Sequence, residues 1–235
     1  MTPLTIVSGY WKIKNKHGNN FDNWFDNSLK INCPYVFFGD AESIAMIKPH
    51  RVNLKTHYIE CSISDFYTYK YYNTIKTDPR HCPSVELNLI WNEKLFLMQK
   101  AMELNPFQSE YFAWVDAGIC TYRYTRPPIK EFPDLVKLNI LPKNKFIFTS
   151  SASHIFNPKS VSPNNYYHYI SGTFILHRDF INEYIKIFKN YLDKYLTTPS
   201  NIYTDQVINT YIYKDHQEMF YKIGDGYGVI MELLY

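Results

Sequence analysis

Cysteine is scarce in this sequence, and its spacing is unlike that of a metal site. The 235 residues include 4 cysteines, Cys33, Cys61, Cys82 and Cys120, with no CxxC pair and no Cys/His pattern. A structural zinc site is therefore not expected. Isolated cysteines of this kind are typical of the reduced thiols of cytoplasmic proteins.

Targeting signals and long apolar runs are also missing. The first residues, MTPLTIVSGYW, lack the basic region and the long apolar region of a signal peptide. No apolar run approaches the roughly 20 residues that a membrane-spanning helix needs. We therefore expect a cytoplasmic protein with at most peripheral contact to a membrane.

Charge of one sign is not concentrated anywhere along the chain. The 25 lysine and arginine residues and 22 aspartate and glutamate residues give a formal net charge of +3. Because no long basic run occurs, a nucleic-acid partner is not expected. The 8 glycines form no GxGxxG pattern, so a dinucleotide site has no support either.

Aromatic residues, by contrast, are abundant. Hydrophobic residues make up 46% of the chain and aromatic residues 18%, with 22 tyrosines and 16 phenylalanines. This composition supports a well-packed core, and tyrosine also suits the stacking surfaces of sugar and base sites. Asparagine, isoleucine and lysine are frequent too, as an AT-rich gene would produce, so the tyrosine count carries little functional weight.

The first part of the chain alternates between strands and helices. Apolar segments at residues 5–8, 35–38 and 52–59 predict strands, and segments at 21–31 and 41–47 predict helices. This order argues for an α/β fold with a mainly parallel sheet and crossover helices. Because no repeat or low-complexity tail occurs, residues 1–235 are treated as one domain.

The second part continues the alternation. It predicts a helix at 86–104, a strand before Asp116, strands at 146–150 and 169–176, a helix at 180–196 capped by Asp179, a helix from Asp205 capped by Thr204, and a last strand after the glycines of 224–228. A Ser/Pro/Asn-rich stretch at 151–165 is the best candidate for a mobile lid that orders when a ligand binds.

One lysine falls on an otherwise apolar stripe of the 86–104 helix. Lys94 shares this stripe with Leu87, Trp91, Met98 and Ala101, at spacings of three and four residues. A lysine in such a place either extends its ammonium group to solvent or reaches a buried anion. Because charged side chains are seldom fully buried without a partner, we expect extension to solvent.

The stretch YFAWVDAGICTYR at residues 111–123 contains the most informative acid. Apolar residues precede Asp116, and a small residue and Gly118 follow it. This pattern predicts a buried strand ending in an exposed carboxylate, at the sheet edge where α/β proteins bind ligands. There the acid can hold a cation, which in turn can hold a diphosphate. The alternative is a plain turn, with Asp116 as turn former and Gly118 at positive φ.

The order of these segments resembles the GT-A glycosyltransferases and, within them, the HtrL/YibB (WlaTC-type) family, which has relatives in large DNA viruses. If the gene is viral, the expected location is the host cytoplasm. The segments that carry the resemblance are TIVSGYW, FDNWFDNSLKI, YVFFGD, IWNEK, NPFQSEYFAWVDAGICTYR, SGTFILH and TDQVIN. They extend over nearly the whole chain. The NPF…WVDAG block is the most specific part, whereas the Asp-Gln pair is common to many GT-A families.

The resemblance implies a GT-A-like sheet and transfer of a sugar from a nucleotide-sugar donor, with UDP as the expected nucleotide, to a hydroxyl of a glycan or protein. It also implies Mn²⁺ or Mg²⁺, because a divalent cation stabilises a departing nucleoside diphosphate. Asp116 matches the first acid of the DxD-like position. The third position is Gly118 rather than an acid, so a second metal ligand is expected from Asp225 or His177.

Further roles follow by position in the family. The expected donor-binding residues are Ser8, Gly9, Tyr10, Asp40, Arg51, Lys94, Asp116, Ala117 and Gly118. The expected sugar or acceptor contacts are Ser171 and Gly172, and the expected catalytic pair is Asp205 with Gln206. Tyr10 would stack on the base, Arg51 or Lys94 would pair with the diphosphate, and Asp205 would act as base.

Other interpretations stay open at this point. Asp40 and Asp205 also suit the first turns of helices, where an acid caps the helix or offsets its dipole. Loss of the second DxD acid would suit a disarmed module that binds a carbohydrate or nucleotide sugar without turnover. A nucleotidyltransferase would need a glycine-rich basic loop after the first strand, and residues 10–20 hold three lysines but little glycine. The Asp-Gln pair leans only slightly towards a retaining reaction.

Overall fold

The computed structural model describes residues 3–15, 17–18, 20–151 and 155–235, and over these residues seven strands form one sheet. The strands are β1 Leu4–Gly9, β2 Tyr35–Gly39, β3 Thr56–Glu60, β4 Tyr111–Trp114, β5 Phe146–Ser150, β6 Ile170–His177 and β7 Phe220–Asp225. Their order is β3-β2-β1-β4-β6-β5-β7. β6 runs antiparallel to both its neighbours, and the other pairs are parallel. The predicted mixed, mainly parallel α/β sheet is confirmed.

Helices cover both faces of the sheet. They are α1 Asn20–Ser28, α2 Ala41–Ile47, α3 Val85–Leu104, α4 Leu135–Asn139, α5 Arg178–Leu196, α6 Asp205–Asp215 and α7 Val229–Leu233. Phe112 and Trp114 of β4 share a core with α3, α5 and α6, whereas Tyr111 and Ala113 share one with α1 and α7. Because β4 is buried on both faces, its sequence is a continuous apolar run.

Several element boundaries differ from the sequence prediction. The strand expected from residue 52 begins only at Thr56, because a turn comes first. This turn is closed by a hydrogen bond from the N–H of Leu54 to the carbonyl of Arg51 and has Asn53 at positive φ. Asp179 does not cap α5, since the backbone N–H of Asp179 donates to Nδ1 of His177, which is the cap residue. The last strand, β7, precedes the glycine turn rather than following it. Gly226 and Gly228 have positive φ there, and the chain then enters α7.

Two other expectations concern loops and membranes. In the stretch expected to form a lid, residues 155–165 contain a 3₁₀ turn at Pro158–Ser160, and residues 152–154 lie outside the described part. The lid therefore stays a prediction. No helix within the described ranges is long and apolar enough to cross a membrane.

Candidate active site

A cleft of about 410 Å³ opens at the carboxyl ends of β1 and β4. These strands are adjacent and parallel, and β6 runs antiparallel beside β4, so the start of β6 meets the ends of the other two. α3 and the first turn of α6 complete the walls. The predicted site residues that line this cleft are Gly9, Tyr10, Lys94, Asp116, Ala117, Gly118, Gly172, Asp205 and Gln206.

Asp116 lies two residues beyond β4, in a tight turn closed by a hydrogen bond from the N–H of Ile119 to its carbonyl, at 2.9 Å. The indole Nε1 of Trp114 donates to its Oδ1 at 2.8 Å. The side chain is 47% exposed, and its Oδ2 has no hydrogen bond within the described residues. The strand thus delivers one fixed carboxylate to the cleft with one oxygen still available.

Lys94 does not extend to solvent, contrary to the sequence expectation. Lys94 is only 3% exposed. Its ammonium nitrogen lies 3.1 Å from Oδ1 of Asp116 and 3.0 Å from Oδ2 of Asp205. It also donates to the carbonyl of Gly172 at 3.3 Å. The expectation failed because α3 is buried around most of its circumference. Its apolar stripe therefore faces other parts of the protein and not an open boundary with solvent. The partner anions come from distant segments, and together the three side chains form an acid–lysine–acid cluster.

The charges of this cluster follow from its burial. Burial alone would lower the pKa of Lys94, but attraction to Asp116 and Asp205 outweighs it and raises the pKa, so the lysine stays charged. For Asp205, burial dominates and raises the pKa to about 6, although Lys94 opposes that rise. Oδ2 of Asp205 makes a charge contact with Lys94 but no well-angled hydrogen bond. Asp205 is consequently a carboxylate that can exchange a proton near neutral pH.

Side chains of α3 also position Asp205. The side-chain amides of Asn88 and Asn92 both donate to the carbonyl of Tyr203, at 3.2 Å and 3.0 Å. One residue later, the hydroxyl of Thr204 caps α6, as the sequence predicted. The start of α6 is therefore tied to the helix that carries Lys94, which holds the acid and the lysine in register.

Gly172 allows this close approach. A Cβ placed there would lie 3.1 Å from the ammonium nitrogen of Lys94 and 3.8 Å from Oδ2 of Asp116. Gln206, whose Nε2 donates to the carbonyl of Ile170 at 3.1 Å, lies beside it. A side chain at position 172 would enter the space between the cluster and the open cleft, which explains the glycine inside β6.

Gly118, which stands where a DxD motif would have its second acid, is packed against aromatic rings. An added Cβ would lie 2.7 Å from Cε1 of Phe21 and 3.1 Å from Cε3 of Trp24, both on α1. These rings occupy the space into which an aspartate side chain would extend. The DAG sequence is thus tied to the aromatic face of α1.

We expect Gly118→Ala to lower the free energy of unfolding by about 1–3 kcal/mol, as overpacking does in well-packed sites. Urea unfolding would measure the loss. In a Phe21→Leu background the smaller side chain should relieve much of the cost. An equal cost in both backgrounds would contradict the ring contact as its cause.

Five predicted residues do not line the cleft. Arg51 is buried, stacks on Tyr35, and donates to the carbonyls of Leu29, Ile31, Cys33 and Lys55 and to Oγ1 of Thr56. Its guanidinium is thus used to hold loops together and is not retained as a diphosphate partner. Asp40 caps α2 by accepting from the N–H of Ser43. The hydroxyls of Ser8 and Ser171 are buried, Ser171 donating to the carbonyl of Thr173.

Neither expected second metal ligand joins Asp116. Asp225, the fifth residue outside the lining, accepts from Ser150 at 2.7 Å and pairs with Lys222 at 2.5 Å. His177 pairs in register with Tyr111, at the start of β4, so it lies at the opposite edge of the sheet from Asp116. Within the described ranges, no group of three or more His, Cys, Asp or Glu side chains is placed to hold a metal ion.

The cleft nevertheless has one oxygen that could coordinate a cation arriving together with a ligand. Lys94 occupies the space between the two acids, and Oδ2 of Asp116 remains open. Magnesium is commonly held by one or two carboxylates together with substrate phosphates. The residues present therefore fit a divalent cation shared with a diphosphate, and not one held by side chains alone.

Sequence reasoning missed several lining residues. Besides Trp11, Trp91 and Trp114, the cleft is lined by Arg123, which follows a 3₁₀ turn at Cys120–Tyr122 after the Asp116 turn. The FDNWFD pattern of α1, with Phe21 and Trp24 on one face, was the available signal for the aromatic wall against which Arg123 packs.

Comparisons with known proteins agree with this architecture. A family model described as "Bacterial protein of unknown function (HtrL_YibB)" matches residues 55–230. Mouse xyloside xylosyltransferase 1, in its apo form, has a TM-score of 0.56 at 13% identity, over 94% of this chain and 85% of that one. The galactosyltransferase LgtC, solved with donor and acceptor sugar analogues, has a TM-score of 0.52 at 11% identity, over 87% and 69%. No curated protein matches the chain. The fold is that of the GT-A glycosyltransferases.

Proposed function

This chain belongs to the HtrL_YibB family, and we propose that it is a glycosyltransferase that moves a sugar from a nucleotide-sugar donor, a UDP-sugar in the first instance, to a hydroxyl of a glycan or protein acceptor. The observation that carries the proposal is the acid–lysine–acid cluster at the carboxyl ends of β1 and β4. It lies at the edge where open α/β sheets bind nucleotides. The likeness in fold to two sugar transferases, one solved with donor and acceptor analogues, supports it.

The lining residues suggest a place in the cleft for each of the three parts of the donor. Gly9 ends β1 and Tyr10 follows it, and these two residues would receive the nucleoside. The Tyr10 ring, which also contacts the rings of Phe21 and Phe25, would stack on the base. The turn at Asp116 would face the diphosphate. Gly172 would let the sugar reach Lys94 and Gln206, since no side chain intervenes.

Asp205 is the proposed base for the acceptor hydroxyl. A general base works best when its pKa lies near the working pH, and burial raises the pKa of Asp205 to about 6. Lys94 holds its carboxylate at 3.0 Å and favours the ionised form that accepts a proton. In this proposal, Lys94 is the positioning residue for both acids.

Mn²⁺ or Mg²⁺ would be held by Oδ2 of Asp116 together with the donor diphosphate. When bound, such a cation would stabilise the negative charge of the departing nucleoside diphosphate. Asp225 and His177 are omitted from this role because one is engaged by Lys222 and the other lies at the opposite sheet edge.

A thermal-shift panel of UDP, GDP, CMP and dTDP sugars, each with Mn²⁺ and with EDTA, tests the donor. A ligand at 100 times its Kd stabilises the folded state by about 2.7 kcal/mol, which is about 5–10 °C in Tm for a chain of this size. We expect this shift for one nucleotide class. It should shrink in EDTA and in Asp116→Asn, whereas the metal without nucleotide should give no shift.

Release of nucleoside diphosphate from the donor that gives the shift then tests turnover. A shift that survives EDTA would keep the transferase and remove the metal. No shift with any donor, together with no nucleoside diphosphate release, would contradict the proposed function and favour a module without turnover.

A further inference from the structure

Among the described residues that line the cleft, few carry a positive charge, and only one combines a permanent charge with unused hydrogen-bond donors. Among the described lining residues, the side chains that can be cationic are Lys94, Arg123 and His17. Lys94 is already bound between two carboxylates and a carbonyl. His17 carries charge only when protonated. Arg123 is therefore the permanent cation whose contacts leave donors for a ligand.

Two contacts fix the guanidinium of Arg123. Its carbon lies 3.9 Å from the centre of the Trp24 ring, a stacking distance. Its Nε donates to the carbonyl of Gly118 at 3.0 Å. The terminal nitrogens Nη1 and Nη2 have no hydrogen-bond acceptor within the described residues. The guanidinium is thus fixed through its face and through Nε, while Nη1 and Nη2 are available to a ligand. A guanidinium held in this way can bind two phosphate oxygens at once.

The anchors of Arg123 are the groups that replace the second acid of the DxD motif. Gly118 supplies the carbonyl that orients the guanidinium, and Trp24, which closes the space beyond Gly118, supplies the ring on which it stacks. The position that would carry a second metal-binding carboxylate is thus linked to an arginine. Where a DxD motif would place a negative carboxylate, this chain places the positive guanidinium of Arg123.

The charge of the cleft favours a cationic group at this place. Above the pKa of Asp205, the acid–lysine–acid cluster carries two negative charges and one positive charge, a net charge of −1. A diphosphate approaching this cluster meets repulsion unless another cation faces it. Arg123, on the same wall as Asp116, supplies that charge without any metal.

We propose that Arg123 binds the diphosphate of the donor directly through the free edge of its guanidinium, as a diphosphate-binding residue of the cleft. This inference rests on the proposed function, because it assigns the phosphate-recognition part of the same site. It also gives Arg123 the role that sequence reasoning had offered to Arg51.

Calorimetric titration with inorganic pyrophosphate and with UDP, at pH 8 in EDTA, tests this assignment on the full chain. Arg123→Gln should weaken both ligands about 10- to 100-fold, because bonds to charged phosphate oxygens are lost. Arg123→Lys keeps the charge but lacks the planar fork, and should lie between the two. Arg126→Gln is the matched control, since Arg126 is exposed, three residues away and outside the cleft lining.

The outcomes separate the two proposals. Unchanged pyrophosphate and UDP binding in a folded Arg123→Gln protein would overturn the role of Arg123, and so would equal losses in Arg126→Gln. Wild-type protein that transfers sugar yet binds neither probe in EDTA would overturn direct binding while the transferase stands. Wild-type protein with neither binding nor transfer, under any metal condition, would overturn both.

Discussion

Replacing Lys94 by methionine is expected to lower the free energy of unfolding by about 3 kcal/mol at pH 8 and to remove detectable sugar transfer. The ammonium is buried within 3.1 Å of Asp116 and 3.0 Å of Asp205, so its loss leaves two carboxylates facing each other. Breaking a buried ion pair from one side costs about 3–5 kcal/mol. The lower end is expected here because Asp116 is 47% exposed. Urea unfolding and donor turnover would measure the two effects.

The pH dependence of this loss identifies its cause. Without Lys94, the attraction that lowers the pKa of Asp205 is gone, so this pKa rises further above its value of about 6. The unfolded chain, in which the pKa of this aspartate is 3.8, releases the proton at a lower pH than the folded variant does. The stability of the variant therefore falls as pH rises from about 4 to the raised pKa of Asp205. The deficit should be larger at pH 8 than at pH 5. An equal deficit at both pH values would point to packing instead of charge. An equal loss in the control Lys100→Met, at an exposed lysine of the same helix, would show that the loss does not depend on the buried cluster.

The order of elements was predictable because the core strands are written as apolar runs. β1, β2 and β4 are buried on both faces, so their sequences are short and mostly apolar and lack the regular alternation of a half-buried strand. Strand direction is not encoded in such a run, so the sequence did not predict which strand of the mixed sheet, here β6, runs antiparallel to its neighbours. The glycine turn of residues 226–228 was recognised, but which side of it held the strand depended on tertiary packing.

The candidate site was predictable where it lies at strand ends and helix starts. Asp116, Gly172 and Asp205 were each placed by a local pattern, and the parallel sheet brings such positions to one edge. The burial of Lys94 was not predicted, because helical periodicity shows which face a residue occupies but not whether a carboxylate lies against that face. Arg51 and Arg123 show the same limit. Their partners, backbone carbonyls for Arg51 and the Trp24 ring for Arg123, come from distant segments, and no local pattern pairs them with these arginines.

Asp205→Asn is expected to lower sugar transfer about 10²- to 10⁴-fold, the usual contribution of a general base, while leaving the protein folded. Asparagine keeps the shape of the side chain but cannot accept the proton of an acceptor hydroxyl. At pH 8, where Asp205 is ionised, its effect on stability should be small, because the cost of burying a carboxylate and its attraction to Lys94 disappear together. The measurements are kcat/KM from pH 5 to pH 8 and urea unfolding over the same range.

Two pH slopes should vanish with the carboxylate of Asp205. In the wild type, activity should rise with pH through about 6 as the base ionises, while the folded state, which holds this proton more tightly than the unfolded chain, loses stability from about pH 4 upward. The control is Asp179→Asn, since Asp179 is also a first-turn acid but is 77% exposed on α5. If Asp205 served only the helix dipole, both variants would lose a similar, small amount of stability and neither would lose transfer. If Asp205 is the base, Asp205→Asn should lose sugar transfer and Asp179→Asn should keep it.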